Sequence, residues 1–309
     1  MTKNILVIGG AGYVGSRLRQ VLAETYSVDS VDCCWFNHDE TSLRTDYHNL
    51  TAEDLSKYQV VILLAAHAGV KPCEGDISAP WLNNVTNFTD LLDKLPKETL
   101  VIYASSASVY GNSLPGEYFA ETIKQFTPVN NYDITKYVGD LHATIAIQQG
   151  RNLIGLRFGT VNGWSPNLRV DVMINSMYNS AHHSKQIVVT NKHIGRALLG
   201  IEDLCRAMVK CIEQPVAGIY NLASFNTTVE EIANTVAEKL SVPVIDKGNT
   251  GNQYDFGLNT ELFQKTFDFT FQETPATIVD SLIKKFNLSH LSRRDNYIIY
   301  QWENNNGKR

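Results

Sequence analysis

Tyr132 and Lys136 stand one helical turn apart in the stretch NNYDITKYVGD, Asn130 to Asp140. Residues four apart on a helix are neighbours, so an ammonium would lie beside a phenol. A free phenol has a pKa near ~10, too high for a base at neutral pH. A nearby cation favours the phenolate and lowers that value. Ser106, in the upstream run SSASVYG (Ser105 to Gly111), adds a hydroxyl that can bind the same oxygen. Together the three suit removal of a proton from an alcohol: Tyr132 as base, Ser106 to orient or carry the proton, Lys136 as the cationic neighbour. On its own a Tyr-x-x-x-Lys pair is a common accident of a surface helix. Its meaning depends on what else the chain carries.

The chain also carries a glycine turn. Gly9, Gly12 and Gly15 lie in GGAGYVGS, between the apolar run ILVIG and Val14, Leu18 and Val21 at helical spacing. Glycine permits the tight turn and lets the backbone approach a pyrophosphate, and the helix N-terminus offers free N–H groups. Gly9, Gly12, Tyr13, Val14 and Gly15 are therefore expected cofactor contacts. Asp32 ends the next strand, where an acid accepts hydrogen bonds from both hydroxyls of an adenosine ribose and repels a 2′-phosphate. No arginine follows until Arg44, so the expected cofactor is NAD rather than NADP. The cationic nicotinamide would help Lys136 lower the Tyr132 pKa, and Lys136 would also bind the nicotinamide ribose.

These residues need a scaffold. SVDSVD, VVILLAA (Val60 to Ala66), TLVIYASS (Thr99 to Ser106) and LIGLRFG (Leu153 to Gly159) read as further buried strands. A helix marked by Trp81, Val85, Phe88, Leu92 and Leu95 stops before Pro96. The alternation predicts an α/β fold: a Rossmann-type doubly wound parallel sheet, with a smaller α/β substrate-binding domain on the C-terminal side. Ser106 falls at the C-terminal end of a strand, where such sheets bind ligands. On the Tyr132 helix, Ile134, Val138, Leu141 and Ile145 form an apolar stripe, which places Tyr132 and Lys136 on another face, where they need not be buried in the core. Later, MINSMYNSAH, EDLCRAMVKCIEQP and TVEEIANTVAEKL read as helices, the last capped at Thr227 or Thr228, and QIVVT, GIYNLA and part of RRDNYIIYQW as strands. The expected division is an NAD-binding domain of residues 1–163, with 187–222 returning to it, and a substrate-binding domain of 164–186 and 223–309.

Bulk properties exclude several classes. The 309 residues are 43% hydrophobic, enough for a large core, and the net charge of −5 argues against a nucleic-acid partner. No apolar run approaches the ~20 residues of a membrane span. The N-terminus has no secretory pattern, so a soluble cytoplasmic protein is expected. Five cysteines without a CxxC pair, and eight histidines without HExxH, suggest neither disulfides nor a metal site.

With these motifs in order, the chain resembles the extended short-chain dehydrogenase/reductases, in the NAD-dependent nucleotide-sugar epimerase/dehydratase group. VIGGAGYVGS, ILLAAHAG, YASSASVYG, YDITK, LRFGTVNG, RALLGIEDLCRAM and GIYNLAS carry the resemblance over roughly residues 3 to 290. It implies that Asp46 with Tyr47 lies near adenine, that Ala65 and Ala66 line the cofactor, and that Asn84 supports the site. It also implies a homodimer through a four-helix bundle of the helices near 81–95 and 132–149, with plain core packing as the other reading. Relatives that eliminate water carry an Asp-Glu pair after the catalytic hydroxyl residue. Ala107 and Ser108 stand there, a pattern more like that of the 4-epimerases. Ser108, and Thr160 where relatives often have asparagine, are expected to touch the substrate. The segment GNQYDFGLN lacks the arginine that relatives place on the diphosphate, so Arg169 and Arg196 are either its partners or surface arginines. His67, Lys71 and Cys73 are read as loop residues in packing or solvent contacts. The expectation is a C4 epimerase of a nucleotide-diphosphate sugar. A nucleotide-sugar oxidoreductase and a non-catalytic NAD sensor are the alternatives.

Overall fold

The computed structural model describes residues 2–36, 39–113, 117–123, 126–251 and 254–288, with side chains to residue 285. Seven strands build the main sheet: β1 (Asn4–Ile8), β2 (Ser27–Asp32), β3 (Leu43–Arg44), β4 (Val60–Leu63), β5 (Leu100–Ser106), β6 (Leu153–Phe158) and β7 (Gly218–Leu222). Their order is β7-β6-β5-β4-β1-β2-β3, parallel throughout. The order reverses between β1 and β4, and there a crevice opens at the strands' carboxyl ends.

Apolar residues on both faces of each strand explain the layers. Ile5, Val7, Val60, Ile62, Leu100 and Ile102 feed one core, with Leu18 and Leu22 of the Tyr13–Leu22 helix and Leu204 and Met208 of the Ile201–Glu213 helix. Leu6, Ile8, Val61, Leu63, Val101 and Tyr103 feed the opposite core, with Phe88, Leu91, Ala143 and Ala146. A third core joins the Met173–Ser184, Val229–Leu240 and Pro275–Leu288 helices through Ile174, Tyr178, Ile232, Val236, Ile278 and Leu282. Thr228 caps the second of these helices in a reciprocal box with Glu231. The strand expected within RRDNYIIYQW lies outside the described residues.

Two sequence expectations change. The predicted helix around residues 81–95 is Ser78–Trp81, a π-turn over Leu82–Thr86, and Asn87–Lys94. The π-turn holds the buried Asn84, and such bulges inside helices are frequent at functional sites. On the Asn131–Gln148 helix the apolar stripe does not face the core. Its buried positions are Asp133, Thr135, Gly139, Asp140, Ala143 and Ala146, whereas Leu141 and Ile145 are exposed. Small residues and two buried acids, Asp133 and Asp140, line the side of this helix that packs inward. Tyr132, Lys136 and Asp140 follow one another at four-residue spacing, so the pair lies along the inward face, away from the apolar stripe.

Candidate active site

The glycine turn links β1 to its helix. Gly9 has φ +88°, and a Cβ there would sit 2.6 Å from the Ala65 backbone nitrogen. A Cβ on Gly15 would lie 2.2 Å from the Gly9 carbonyl oxygen. The turn therefore tolerates no side chain at either position, and the backbone at Gly12, the helix N-cap, is left bare. This is the shape that accepts a pyrophosphate. Val14 packs against the core beneath it. Tyr13 reaches the other way, donating from its hydroxyl to the Gly163 carbonyl at 2.8 Å. The 165–169 loop returns the contact: Ser165 donates to the Tyr13 carbonyl (2.6 Å) and Asn167 Nδ2 to that of Ala11 (2.8 Å).

Asp32 accepts from the N–H groups of Ala11 (3.0 Å) and Cys34 (2.7 Å). Burial lifts its pKa above the usual carboxylate value, and those N–H groups pull it back. An ionised carboxylate has about four acceptor sites, so capacity for ribose hydroxyls remains. Pairing of β2 with β3 sets Arg44 directly across from Asp32, a proximity that their separation in sequence conceals. A cleft of about 200 Å³ opens beside the turn, lined by Gly9, Gly12, Tyr13, Asp32, Asp46, Tyr47, Ala65, Ala66 and Arg169, among others. All but Val14 and Gly15 of the expected cofactor contacts outside the Tyr132 helix thus border one space. Tyr47 is held by donation from its hydroxyl to the Asn83 carbonyl at 2.7 Å.

Ser106, at the end of β5, is near enough to the Tyr132 phenol to lower its pKa, and Lys136 Nζ lies 5.9 Å from the centre of that ring. Lys136 Nζ also donates to the Ala104 carbonyl at 2.8 Å. The ionisation differs from the sequence expectation. Burial pushes Tyr132 up to about 12, against downward pulls from the Ser106 hydroxyl and the Arg169 charge. Burial pushes Lys136 down to about 8. Lys136 alone does not make the phenol acidic, because desolvation disfavours both charged forms. A further cation beside the phenol, such as an oxidised nicotinamide, would lower the Tyr132 value.

Positioning comes from buried polar groups. Asn84 accepts from the His67 N–H (2.8 Å) and donates to Thr135 Oγ1 (3.0 Å), tying the loop after β4 to the Tyr132 helix. Ser108 is buried, with its hydroxyl 2.8 Å from that of Ser106. Arg169 forms a forked pair with Asp171 on the cleft wall, and its charge acts on both Tyr13 and Tyr132. Arg196 is 9% exposed on the Gly195–Gly200 strand, so it is no surface arginine. Neither Arg196 nor Thr160, on the neighbouring Thr160–Asn162 strand, lines the cleft. Sequence reasoning missed Trp35, Asn83 and Asn167, which do line it, and read His67 as an ordinary loop residue. His67 is 6% exposed.

Comparison with known proteins agrees with this geometry. The sequence profile described as the NAD dependent epimerase/dehydratase family matches residues 5–223. ADP-L-glycero-D-manno-heptose-6-epimerase of Pseudomonas paraeruginosa (strain DSM 24068 / PA7) is 25% identical over 273 residues, covering 78% of this chain and 80% of that protein. Among solved structures, UDP-glucuronic acid 4-epimerase from Bacillus cereus, in complex with UDP-glucuronic acid and NAD, superposes with TM-score 0.80 at 19% identity, over 92% of this chain and 99% of that one. Helicobacter pylori ADP-L-glycero-D-manno-heptose-6-epimerase gives TM-score 0.80 at 22% identity, over 93% and 97%. No helix among the described residues is long and apolar enough to cross a membrane. With a turn shaped for a dinucleotide and a serine–tyrosine–lysine group at the end of β5, the chain belongs to the NAD dependent epimerase/dehydratase family.

Proposed function

We propose that the chain is a nucleotide-sugar epimerase acting at C4, with Tyr132 as the base. The observation that carries this reading is the placing of Ser106 beside the Tyr132 phenol, with Lys136 near the same ring. Tyr132 takes the proton of a sugar hydroxyl, and Ser106 holds that oxygen. NAD, when bound, supplies the hydride acceptor and later the donor. Gly9, Gly12, Gly15, Asp32, Asp46, Tyr47, Ala65 and Ala66 hold the cofactor, and Lys136 its ribose. Arg169, on the cleft wall, and Ser108, beside Ser106, face the sugar nucleotide, while Thr160 and Arg196 stand outside the cleft. Ala107 and Ser108 stand where a dehydrating relative needs two carboxyl groups, which favours epimerisation over loss of water.

A second position on the sugar is favoured by a specific observation, the similarity to a heptose 6-epimerase. The same residues serve either carbon. Incubation with candidate nucleotide sugars, followed by NMR of the products, separates the cases. The C4 reading expects a C4 epimer with no net NADH formed. An inverted C6 centre supports the second position, and stoichiometric NADH consumption with a keto sugar replaces both with a reductase.

The helical unit that holds the third core is the substrate lobe in this proposal, and the enzyme works as a homodimer. Support for the dimer comes from Leu82, Leu141 and Ile145, which are 53%, 46% and 52% exposed on the two helices expected to pair.

A further inference from the structure

Tyr132 is the second residue of its helix, in the turn whose N–H groups have no partner within the helix. Whatever fixes that turn fixes the phenol. Asn130 caps it, accepting from the Asp133 N–H at 3.1 Å. Asp133, fully buried, accepts in turn from the Val129 N–H at 3.1 Å. A third group joins them from far along the chain. The Tyr254 hydroxyl lies 2.7 Å and 2.9 Å from the two Asp133 carboxylate oxygens, and Asn130 Nδ2 donates to the same hydroxyl. An amide nitrogen only donates, so the hydroxyl gives its own hydrogen to Asp133.

Tyr254 is itself held. Its ring packs on the cluster of Ala107, Val109, Tyr110 and Phe256. At the next residue, the Asp255 N–H donates to Asn112 Oδ1 (3.0 Å), its carbonyl accepts from the Ser113 N–H (2.8 Å) and its Oδ1 from the Gly195 N–H (2.9 Å). Asn112 and Ser113 follow the turn that begins after Ser106. Residues 254 and 255 therefore bridge the two parts of the reactive group, the turn after Ser106 and the helix start that bears Tyr132. The other groups acting on the phenol are the Ser106 hydroxyl on β5, Lys136 on the same helix, Cys73 after β4 and Arg169 on the cleft wall. The Asp133 charge opposes ionisation of the phenol.

We propose that Tyr254 is a positioning residue for the Tyr132 base, its hydroxyl clamping Asn130 to Asp133 across the first turn of the helix. The clamp keeps the phenol in register with Ser106, where a displacement of ~1 Å is costly to a reaction. It also draws the Asp133 carboxylate into its own hydrogen bond, which weakens the field of that charge at the phenol. The inference rests on the reading of Tyr132 as the base, but its test follows a titration and needs no turnover.

The test is fluorine NMR. Protein grown with 3-fluorotyrosine, whose phenol is more acidic than that of tyrosine, gives a Tyr132 signal that is lost in Tyr132→Phe. Its titration midpoint is measured in protein freed of nucleotide. Tyr254→Phe keeps the ring and removes the donor to Asp133, so the midpoint should rise by ~0.5 pH unit or more, about threefold in proton affinity. Asp133→Asn removes the charge and keeps an acceptor for Tyr254, so the midpoint should fall. With Asp133→Ala already in place, Tyr254→Phe should move it by less than half as much, because the clamp acts through Asp133. A midpoint indifferent to Tyr254→Phe, or a shift at least half as large without Asp133, overturns the proposal. A lowered melting temperature with an unmoved midpoint makes Tyr254 a mere prop and overturns it too. Should the variants not fold, the unsubstituted protein decides. The Tyr254 hydroxyl proton, identified by its NOEs to the Phe256 ring, must be visible and exchange slowly, and one that exchanges at once with water overturns the proposal. Failure to find an epimer strikes at the proposed function and leaves the Tyr254–Asp133 clamp as measured, whereas a Tyr132 midpoint that ignores Tyr254 removes this inference alone.

Discussion

Arg157 Nε lies 2.7 Å from Asp140 Oδ2, and the two side chains are 6% and 3% exposed. Asp140 is one turn past Lys136 on the helix that carries Tyr132. Its other oxygen accepts from the Tyr103 hydroxyl at 2.6 Å, while Arg157 NH1 donates to the Tyr110 hydroxyl at 2.7 Å. The pair therefore pins the tyrosine–lysine helix to β5 and β6. Breaking one side of a buried, hydrogen-bonded pair leaves an uncompensated charge. Asp140→Ala should cost ~3–5 kcal/mol in urea unfolding, whereas Asp140→Leu with Arg157→Met should cost far less than two single changes. A single substitution costing under ~1 kcal/mol would show that the pair holds nothing.

Tyr132→Phe removes the proposed base and keeps the ring. Turnover should fall by ~10²–10⁴, with NAD affinity within a few-fold of the parent. Stopped-assay NMR of the epimer product and calorimetry with NAD measure the two quantities. Turnover within tenfold of the parent assigns the proton to another group.

Lys136→Met tests the electrostatic strain at the site. The folded lysine titrates near about 8, below its ordinary 10.5. Between those values the unfolded chain binds more protons, so the parent gains stability as pH rises through the window. At pH 7 the methionine variant should be more stable by ~1 kcal/mol, because it buries no charge. That advantage should shrink by pH ~10. Thermal unfolding at both pH values checks it, and an advantage that grows with pH contradicts the assignment.

Glu273 has the opposite sign. Its carboxylate accepts from the N–H groups of Glu202 (2.9 Å) and Asp203 (3.0 Å) at the start of the Ile201–Glu213 helix. Burial and the nearby Asp203 raise its pKa from 4.5 to about 7. The folded state thus binds the extra proton between those values, and stability from this group falls as pH rises through them. Glu273→Gln should match the parent near pH 4.5 and exceed it by ~1–2 kcal/mol at pH 8. Denaturant unfolding at the two pH values decides, and a variant less stable at pH 8 rules the account out.

Leu141→Glu with Ile145→Glu places charges on the outward stripe of the Tyr132 helix. Because both side chains are exposed, the fold should survive, with circular dichroism unchanged. A dimer in the parent should become a monomer by analytical ultracentrifugation. A parent that is monomeric at every concentration, or a variant that still dimerises, discards the helix-pair interface.

Local pattern was enough for much of this. The glycine turn reads directly because Gly15 meets backbone only a few residues away and Gly9 meets the backbone just past the adjoining strand. The strands read because two-sided burial demands unbroken apolar runs such as Val60–Leu63. The relation of Ser106 to Tyr132 follows from strand-then-helix order at one sheet edge.

Tertiary structure decided the rest. An apolar stripe marks which side of a helix avoids water, not which object covers it. On the Asn131–Gln148 helix, close packing through Ala143 and Ala146 and the Asp140–Arg157 pair set the inward face, and the leucine and isoleucine were left outside. The ionisation of Tyr132 and Lys136 was likewise invisible, because spacing reports only their proximity, while desolvation depends on every element packed around them. His67, Asn83 and Trp35 come from three separate segments and share one cleft only after β2 and β4 are aligned beside β1. The chain's own pattern determined which chemistry it could carry; folding determined which charges that chemistry starts from, since burial is a property of the whole molecule and not of a motif.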